Sequence, residues 1–393
     1  MHSIGTTRRV SLALLLALAA CLAAFAGPAQ AKGKQHGASK GTDVRVMTRN
    51  LYLGADLGPA LASTSRAAFF EANGAILRAV DASNFPVRAK GLAKEIQEQE
   101  PDLVGLQEVA LWRTGEPSAI VVQTGVPTAS KVKYDFLQLL LNQVNKGKAK
   151  YRAVVVNPEF DFEAPADYNG IPHDGPGNGA PGLLENTEIN GRLTMRDVIL
   201  VRQHAGVTVS NPQMGHYSHL LTEEIAGTKV TIIRGWTSVD AKVRGSAKFR
   251  FVNTHLESFD PETVYPSIRA QQAGELVAPG GPATGRLPVI LVGDLNSDVK
   301  TEVKPGDGQA YRVLKQAGLR ERSTSKPLGC CIEGSEDLRG GSAKDFNHKV
   351  DHIMTDAPKQ VKLLRSAVTG RTKHNGYWDS DHAGLASELL ISH

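Results

Sequence analysis

Residues 287–296 read LPVILVGDLN, an apolar run that stops at Gly293 and gives way to a carboxylate and an amide, Asp294 and Asn296. Leu287 to Val292 are expected to form an apolar strand that runs out at Gly293. Residues two apart in an extended chain face the same side, so Asp294 and Asn296 point together. Such a pair is suited to orienting a water and holding an oxygen of a charged group. A plain turn, with Asp and Asn capping backbone groups, is the alternative these ten residues leave open.

Outward from this stretch the same arrangement recurs, with polar groups standing where apolar strands run out. Val44 to Thr48 leads to Asn50, and Asp102 to Gln107 leads to Glu108. Lys248 to Asn253 leads to His255, with Asn253 and His255 again two apart. Asp351 opens the run to Met354, and Asp381 and His382 precede Leu385 to Leu390. Further strands are expected at Tyr151 to Val156, Arg196 to Val201, Thr228 to Arg234 and Val361 to Val368. Helical spacing marks Val87 to Gln99, which Pro101 stops, and also Tyr134 to Asn145, Ser267 to Val277 and Ala310 to Ala317. Mixed periodicities without an internal repeat predict a layered α/β or α+β architecture. Residues 157–190 are dense in Pro, Gly, Asn and Asp and are expected to form one long loop facing the substrate. A Gly/Ser/Cys-rich loop is expected to run up to Asn347.

The first 31 residues have the form of an export signal: Arg8 and Arg9, an apolar run from Val10 to Phe25, then Ala29-Gln30-Ala31. The run falls short of the roughly 20 residues a membrane-spanning helix requires. A lipoprotein box ending at Cys21 is the rival, opposed by the apolar residues that follow it, Leu22 to Phe25. Residues 32–42 are expected to be a flexible linker and residues 43–393 one large domain of a secreted, monomeric protein. The net charge of +5 falls to about +3 without Arg8 and Arg9, a weak footprint for a dedicated nucleic-acid binder. Cys330 and Cys331 are adjacent, and a bond between sequence neighbours lies below the usual α-carbon separation of about 4.4–6.8 Å. A loop feature, including such a vicinal bond, is the expectation here, since a metal site would want further thiolates or histidines nearby.

Taken in order, Met47-Thr48-Arg49-Asn50, Leu106-Gln107-Glu108-Val109, Asn253-Thr254-His255-Leu256, Gly293-Asp294-Leu295-Asn296, Val350-Asp351-His352-Ile353 and Ser380-Asp381-His382 resemble the deoxyribonuclease I-like (endonuclease/exonuclease/phosphatase) superfamily. The resemblance spans residues 47 to 382. It implies a four-layer sandwich of two mixed β-sheets flanked by helices, and a divalent-metal-dependent phosphoesterase. Glu108 would be the main metal ligand, helped by Asn50, with Asp381 supporting a second ion or the first through water. An all-oxygen set of this kind suits Mg²⁺, with Mn²⁺ or Ca²⁺ as substitutes. His382 would take the proton of the attacking water or form a charged pair with Asp351, and Asp294 is the other contender for water activation. Asn296 would hold the nucleophile or a phosphate oxygen, and His255, with Asn253, would bind the phosphate or the leaving oxygen.

Arg192, Arg196 and Asp197 fall where some relatives hold phosphate, although strand-edge charges read equally well. Trp378 is expected either at the pocket mouth or packed inside. For substrate, nucleic acid stands first, then a phospholipid headgroup such as sphingomyelin, then an inositol phosphate. A nuclease calls for a basic groove, and a lipid-cleaving enzyme for an apolar loop beside the site. A binding protein that kept the fold without the reaction is the reading from another class.

Overall fold

A computed structural model describes residues 41–171, 184, 186–261, 264–298, 308–332 and 337–392. In it Val289–Asp294 is a central strand of a six-stranded sheet. It runs parallel to Phe249–His255 on one side and antiparallel to Asp351–Thr355 on the other. Gly235–Val243 and Val207–His216 extend this sheet at one edge and Arg320–Glu321 at the other. The second sheet has eight strands. Seven run edge to edge as Val361–Thr369, Gly384–Ser392, Gly41–Asn50, Leu103–Gln107, Ile189–Arg202, Leu111–Gly115 and Lys131–Asp135. The eighth, Tyr151–Ala166, also pairs with Ile189–Arg202. The one parallel pair here is Gly41–Asn50 with Leu103–Gln107.

Each parallel pair needs a helical crossover. Arg66–Ala82 and Phe85–Gln99 supply one, and Ile268–Val277 supplies the other. Ser65 and Ser267 cap two of these helices by accepting from the Ala68 and Ala270 amides, which fixes where each crossover starts. The two sheets pack face to face over Val44, Val46, Leu103, Ile199, Val239, Phe249, Phe251, Ile290, Val292, Ile353 and Leu389. The other face of the larger sheet meets helices through Met47, Val104, Leu106, Val198 and Leu200. The smaller sheet does so through Val252, Val289 and Leu291. Neighbouring residues thus alternate between two buried faces, which is why these strands read as unbroken apolar runs. The result is the four-layer sandwich.

Several elements depart from expectation. Residues 157–166 are strand, not loop, because Tyr151–Ala166 pairs with Ile189–Arg202 out to Ala166 opposite Ile189. Irregularities at Ala153/Val155 and Pro158/Asp161 accommodate Pro158 and erase the alternation. Residues 172–183 and 185, the rest of the expected loop's core, lie outside the described residues. So do the expected signal, Cys21 and most of the linker; Gly41 and Thr42 already belong to the first strand. The helix expected from Tyr134 begins at Phe136, where Asp135 accepts from the Leu137 and Gln138 amides. Thr228–Ile232 forms only a two-stranded sheet with Leu221–Ile225. The helix Arg66–Ala82 and the strands Leu111–Gly115, Val207–His216 and Gly235–Val243 were not expected. Among the described residues no helix is long and apolar enough to cross a membrane.

Gly105 is where the sheets come closest. A β-carbon there would stand 2.5 Å from Asn253 Oδ1 and 2.6 Å from Val292 Cγ2. Gly105→Ala should therefore overpack the interface and cost about 1–3 kcal/mol of stability, read from urea unfolding. An unchanged midpoint would show that the sheets can part without cost.

Candidate active site

The carboxyl ends of both parallel pairs open on one cleft of about 490 Å³, the usual place for a ligand in sheets of this kind. At its floor meet Asn50, Glu108 and His382 from the larger sheet and His255, Asp294 and Asp351 from the smaller one; Glu108 lines the cleft and the other five are buried behind it. Gly293, at φ +151°, lets the last strand residue turn, where a β-carbon would fall 2.0 Å from Thr254 O. Glu108 and Asn296 adopt left-handed backbone at φ +55° and +46°. Conformations of this kind cost free energy in non-glycine residues and collect at functional sites.

The six side chains meet in pairs across the two sheets. Asn50 Nδ2 donates to Glu108 Oε1 and to Asp294 Oδ2, each at 3.0 Å. His382 Nδ1 lies 2.8 Å from Asp351 Oδ2, and its Nε2 lies 3.7 Å from Asp294 Oδ2. His255 Nε2 stands 3.7 Å from Asp294 Oδ2 and 4.0 Å from Glu108 Oε1. On its other side His255 Nδ1 accepts from Arg234 Nη1 at 3.1 Å. A guanidinium only donates, so the ring proton of His255 sits on Nε2, aimed into the cleft. Behind the cleft, the buried Arg49 donates to His382 O and, at 2.8 Å, to Glu95.

Charge is distributed unevenly here. Burial holds the Glu108 carboxyl above its ordinary range, and the nearby Asp381 raises it further. Burial does the same to Asp294, with Asp351 adding to it. Burial, then Arg234 and His382, pushes His255 well below the usual imidazole value. For His382 burial pulls downward, but Asp351, Asp381 and Asp294 together outweigh it and hold the ring well above the usual value. His255 is thus the neutral imidazole and His382 the charged one.

Four other expected positions, Asn253, Asn50, Asp381 and Asn296, are placed as follows. Asn253 is fully buried beneath the site, one pleat deeper than His255. Its Nδ2 donates to Leu106 O at 3.1 Å and its Oδ1 accepts from Gln107 Nε2, so it clamps the sheets together and cannot reach phosphate. Asn50 Oδ1 accepts from the Tyr52 amide at 2.8 Å. Its nitrogen, not its oxygen, faces the carboxylates, so Asn50 links Glu108 to Asp294 here instead of offering a metal ligand. Asp381 lies across the cleft, which it lines with Glu108, and accepts from Ser380 Oγ at 3.2 Å. Asn296 donates to Leu256 O at 2.9 Å and keeps its half-buried side chain at the rim.

Arg192 pairs with Asp161, and Arg196 with Asp135 and the Val109 and Ala110 carbonyls. Both stand on the interior strand Ile189–Arg202 and are held by these partners. Asp197 is fully buried, and neither of its carboxylate oxygens has a hydrogen-bond partner. Trp378 is packed, edge-on to Phe346 and donating to Gly340 O. Arg234 went unnoticed, although a lone cation at the end of Val230-Thr231-Ile232-Ile233 was the available signal.

The acidic groups suit a hard cation. Two carboxylates are held above their ordinary range in a cleft, and Asp351 Oδ1 has no hydrogen-bond partner. Positive charge at this point would relieve all three. Glu108 and Asp294 would be its protein ligands, with Asp381 in reach across the opening.

Residues 68–382 match the model of the Endonuclease/Exonuclease/phosphatase family. The chain belongs to that family, whose members hydrolyse phosphoesters and generally use a divalent metal. The chain is also similar to solved structures, the first of which shows the same fold. A family protein from Bacteroides vulgatus is 16% identical with a TM-score of 0.51, over 89% of this chain and all of that one. A second, from Bacteroides thetaiotaomicron, is 15% identical with a TM-score of 0.49, covering 90% and 99%. The catalytic domain of human Nocturnin with bound sulfate is 14% identical with a TM-score of 0.47, covering 89% and 94%. No curated protein sequence matches.

Two measurements follow. Asn253→Ala should cost about 1–3 kcal/mol by taking one acceptor from the Gln107 amide, which keeps Thr48, and one donor from the Leu106 carbonyl, with KM unchanged; a raised KM at wild-type stability would restore a substrate role. Glu108, Asp294 and His382 all have folded pKa values raised above their unfolded ones. The stability each contributes is present below its unfolded value and lost as pH rises through the folded one. His255, whose folded value is lowered, acts in the opposite direction up to its unfolded value, so metal-free protein should weaken as pH rises above about 6.5. Mg²⁺ should raise the melting temperature more at pH 8 than at pH 5, by a stabilisation of about 2.7 kcal/mol at a hundredfold excess over Kd. Equal shifts at both pH values, or the same shift in Glu108→Ala, would reject this cation site.

Proposed function

We propose that the protein is an exported, monomeric, Mg²⁺-dependent phosphodiesterase acting on phosphodiesters that carry an apolar group, the phospholipid-headgroup class, ahead of nucleic acid. The supporting observation is the wall of the cleft. Beside Glu108, Asp381 and Arg234 it is lined by Leu57, Leu61, Phe160, Met195, Ile232 and Phe259. Leu57, Leu61 and Phe160 also line an apolar recess of about 70 Å³ that continues past Trp112 and Phe162. Phe259 and Tyr265, on the segment that follows His255, are 37% and 84% exposed. Exposed aromatic side chains beside an apolar cleft suit a lipid surface. Among the described residues, the one guanidinium on the cleft wall, Arg234, is shared with His255, Glu257 and Ser258. The signal-like first 31 residues support export.

A divalent cation held by Glu108 and Asp294 would offset the charge of the transition state. His382, already charged and held by Asp351, donates from Nε2 to a phosphate oxygen and so serves as an electrostatic group, not a base. Asp294 is left to take the proton of the attacking water. Neutral His255 donates from Nε2 to a second oxygen, with Arg234 fixing its tautomer. Asn296 steadies the water at the rim.

Purified protein lacking residues 1–31 should release headgroups from phosphatidylcholine or sphingomyelin vesicles with Mg²⁺ and not with chelator. Glu108→Ala and His382→Ala should each lower kcat on the order of 10²–10⁴-fold. Cleavage of plasmid DNA with vesicles untouched would reverse the substrate order. Turnover that survives both substitutions would dismiss the site, and inertness toward every phosphoester would favour the binding-protein reading.

A further inference from the structure

Cys330 and Cys331 take no part in the hydrolysis described above. Their sulfurs are bonded to each other and lie 3.8 and 3.7 Å from His382 Nε2, the nitrogen that faces Asp294. Backbone bonds hold them there. Cys330 exchanges hydrogen bonds with His348 at 3.0 and 2.7 Å, Ile332 donates to Asp381 O at 2.9 Å, and Ala383 donates to Gly329 O at 2.7 Å. Cys331 is half-buried, so small molecules reach the pair from outside.

We propose that Cys330, Cys331 and His382 form a thiol-gated site for a soft divalent cation such as Zn²⁺, whose binding silences His382. The inference rests on the role given to His382 above. In a tetrahedral zinc site, Zn–S bonds near 2.3 Å and Zn–N bonds near 2.0–2.1 Å place sulfur and nitrogen roughly 3.6 Å apart. In the bonded pair the sulfurs lie 3.8 and 3.7 Å from Nε2, close to that separation, so after reduction they need only part from each other to reach two corners. His382 Nδ1 is tied to the Asp351 carboxylate, the usual support of a zinc-binding imidazole. Solvent, which reaches the half-buried Cys331, can supply the fourth ligand and leave Asp294 to the carboxylate site.

The gate is the bond between the sulfurs. Two sulfurs at bonding distance, about 2.04 Å, cannot occupy separate corners of a zinc tetrahedron. Reduction by two equivalents of a small thiol delivers two electrons and two protons, giving two cysteine thiols and the reductant's disulfide. The cation then binds as both thiol protons and the Nε2 proton leave to solvent. Thiolates favour such an ion over Mg²⁺, so the carboxylate site can stay loaded while His382 is withdrawn. Activity would thereby be confined to oxidising surroundings.

The test uses the protein reduced with tris(2-carboxyethyl)phosphine, which takes oxygen from water and competes less for metal than a dithiol. Cd²⁺ is the probe, with Mg²⁺ in excess. Reduced wild type should bind one equivalent with a thiolate-to-cadmium ultraviolet band, and the oxidised protein should show none. The double variant Cys330→Ser/Cys331→Ser should lack the band. His382→Ala should keep it with affinity at least tenfold weaker. Zn²⁺ should inhibit reduced wild type at least tenfold more than the oxidised form, while the double variant stays active and insensitive. No band on reduction, or a band indifferent to His382, overturns the proposal. Because cadmium binding needs no turnover, a band in a protein that hydrolyses nothing supports this site while the hydrolytic reading fails.

Discussion

Three contacts made across the gap between two sheets hold the active region together: Asn50 with Asp294, His255 with Glu108, and His382 with Asp351. In each, one partner ends or flanks a strand of the larger sheet and the other a strand of the smaller. Neither sheet owns the chemistry. The geometry exists only while the faces stay in register, and that register depends on the apolar layer below and on the Asn253–Gln107 clamp. Gly105 allows the approach by leaving out a side chain.

Bringing charges together in this way has an electrostatic cost. Glu108 and Asp294 lose water and gain acidic neighbours, Asp381 and Asp351 respectively, and both protonate more readily as a result. The two imidazoles divide the local field. His255, backed by Arg234, is kept neutral, whereas His382, backed by Asp351, is kept charged. Identical ring types thus acquire different tasks from what stands behind them.

Much of this could be seen in the sequence because polar residues interrupt apolar runs where strands end. Asn50, Glu108, His255, Asp294, Asp351 and His382 all stood out in that way, and the structure gathers all six. What could not be seen has physical reasons. Asn253 and His255 share a face, yet one residue pair of depth separates a buried clamp from a cleft wall, and spacing alone does not carry depth. The orientation of the Asn50 amide depends on the Tyr52 backbone, which no side-chain pattern reports. Tyr151–Ala166 was hidden by bulges around Pro158, and Arg234 by its place at the end of an apolar stretch. The nearness of Cys330 and Cys331 to His382 joins segments some fifty residues apart and is a product of folding alone.

All six cleft side chains project from or beside the ends of strands, and none from the middle of a long connection. The segments that join those strands can lengthen, shorten or change composition without moving the reacting groups. Divergence among proteins built this way should accordingly collect in their connecting segments, altering what is admitted to the cleft while leaving the reaction itself as it was.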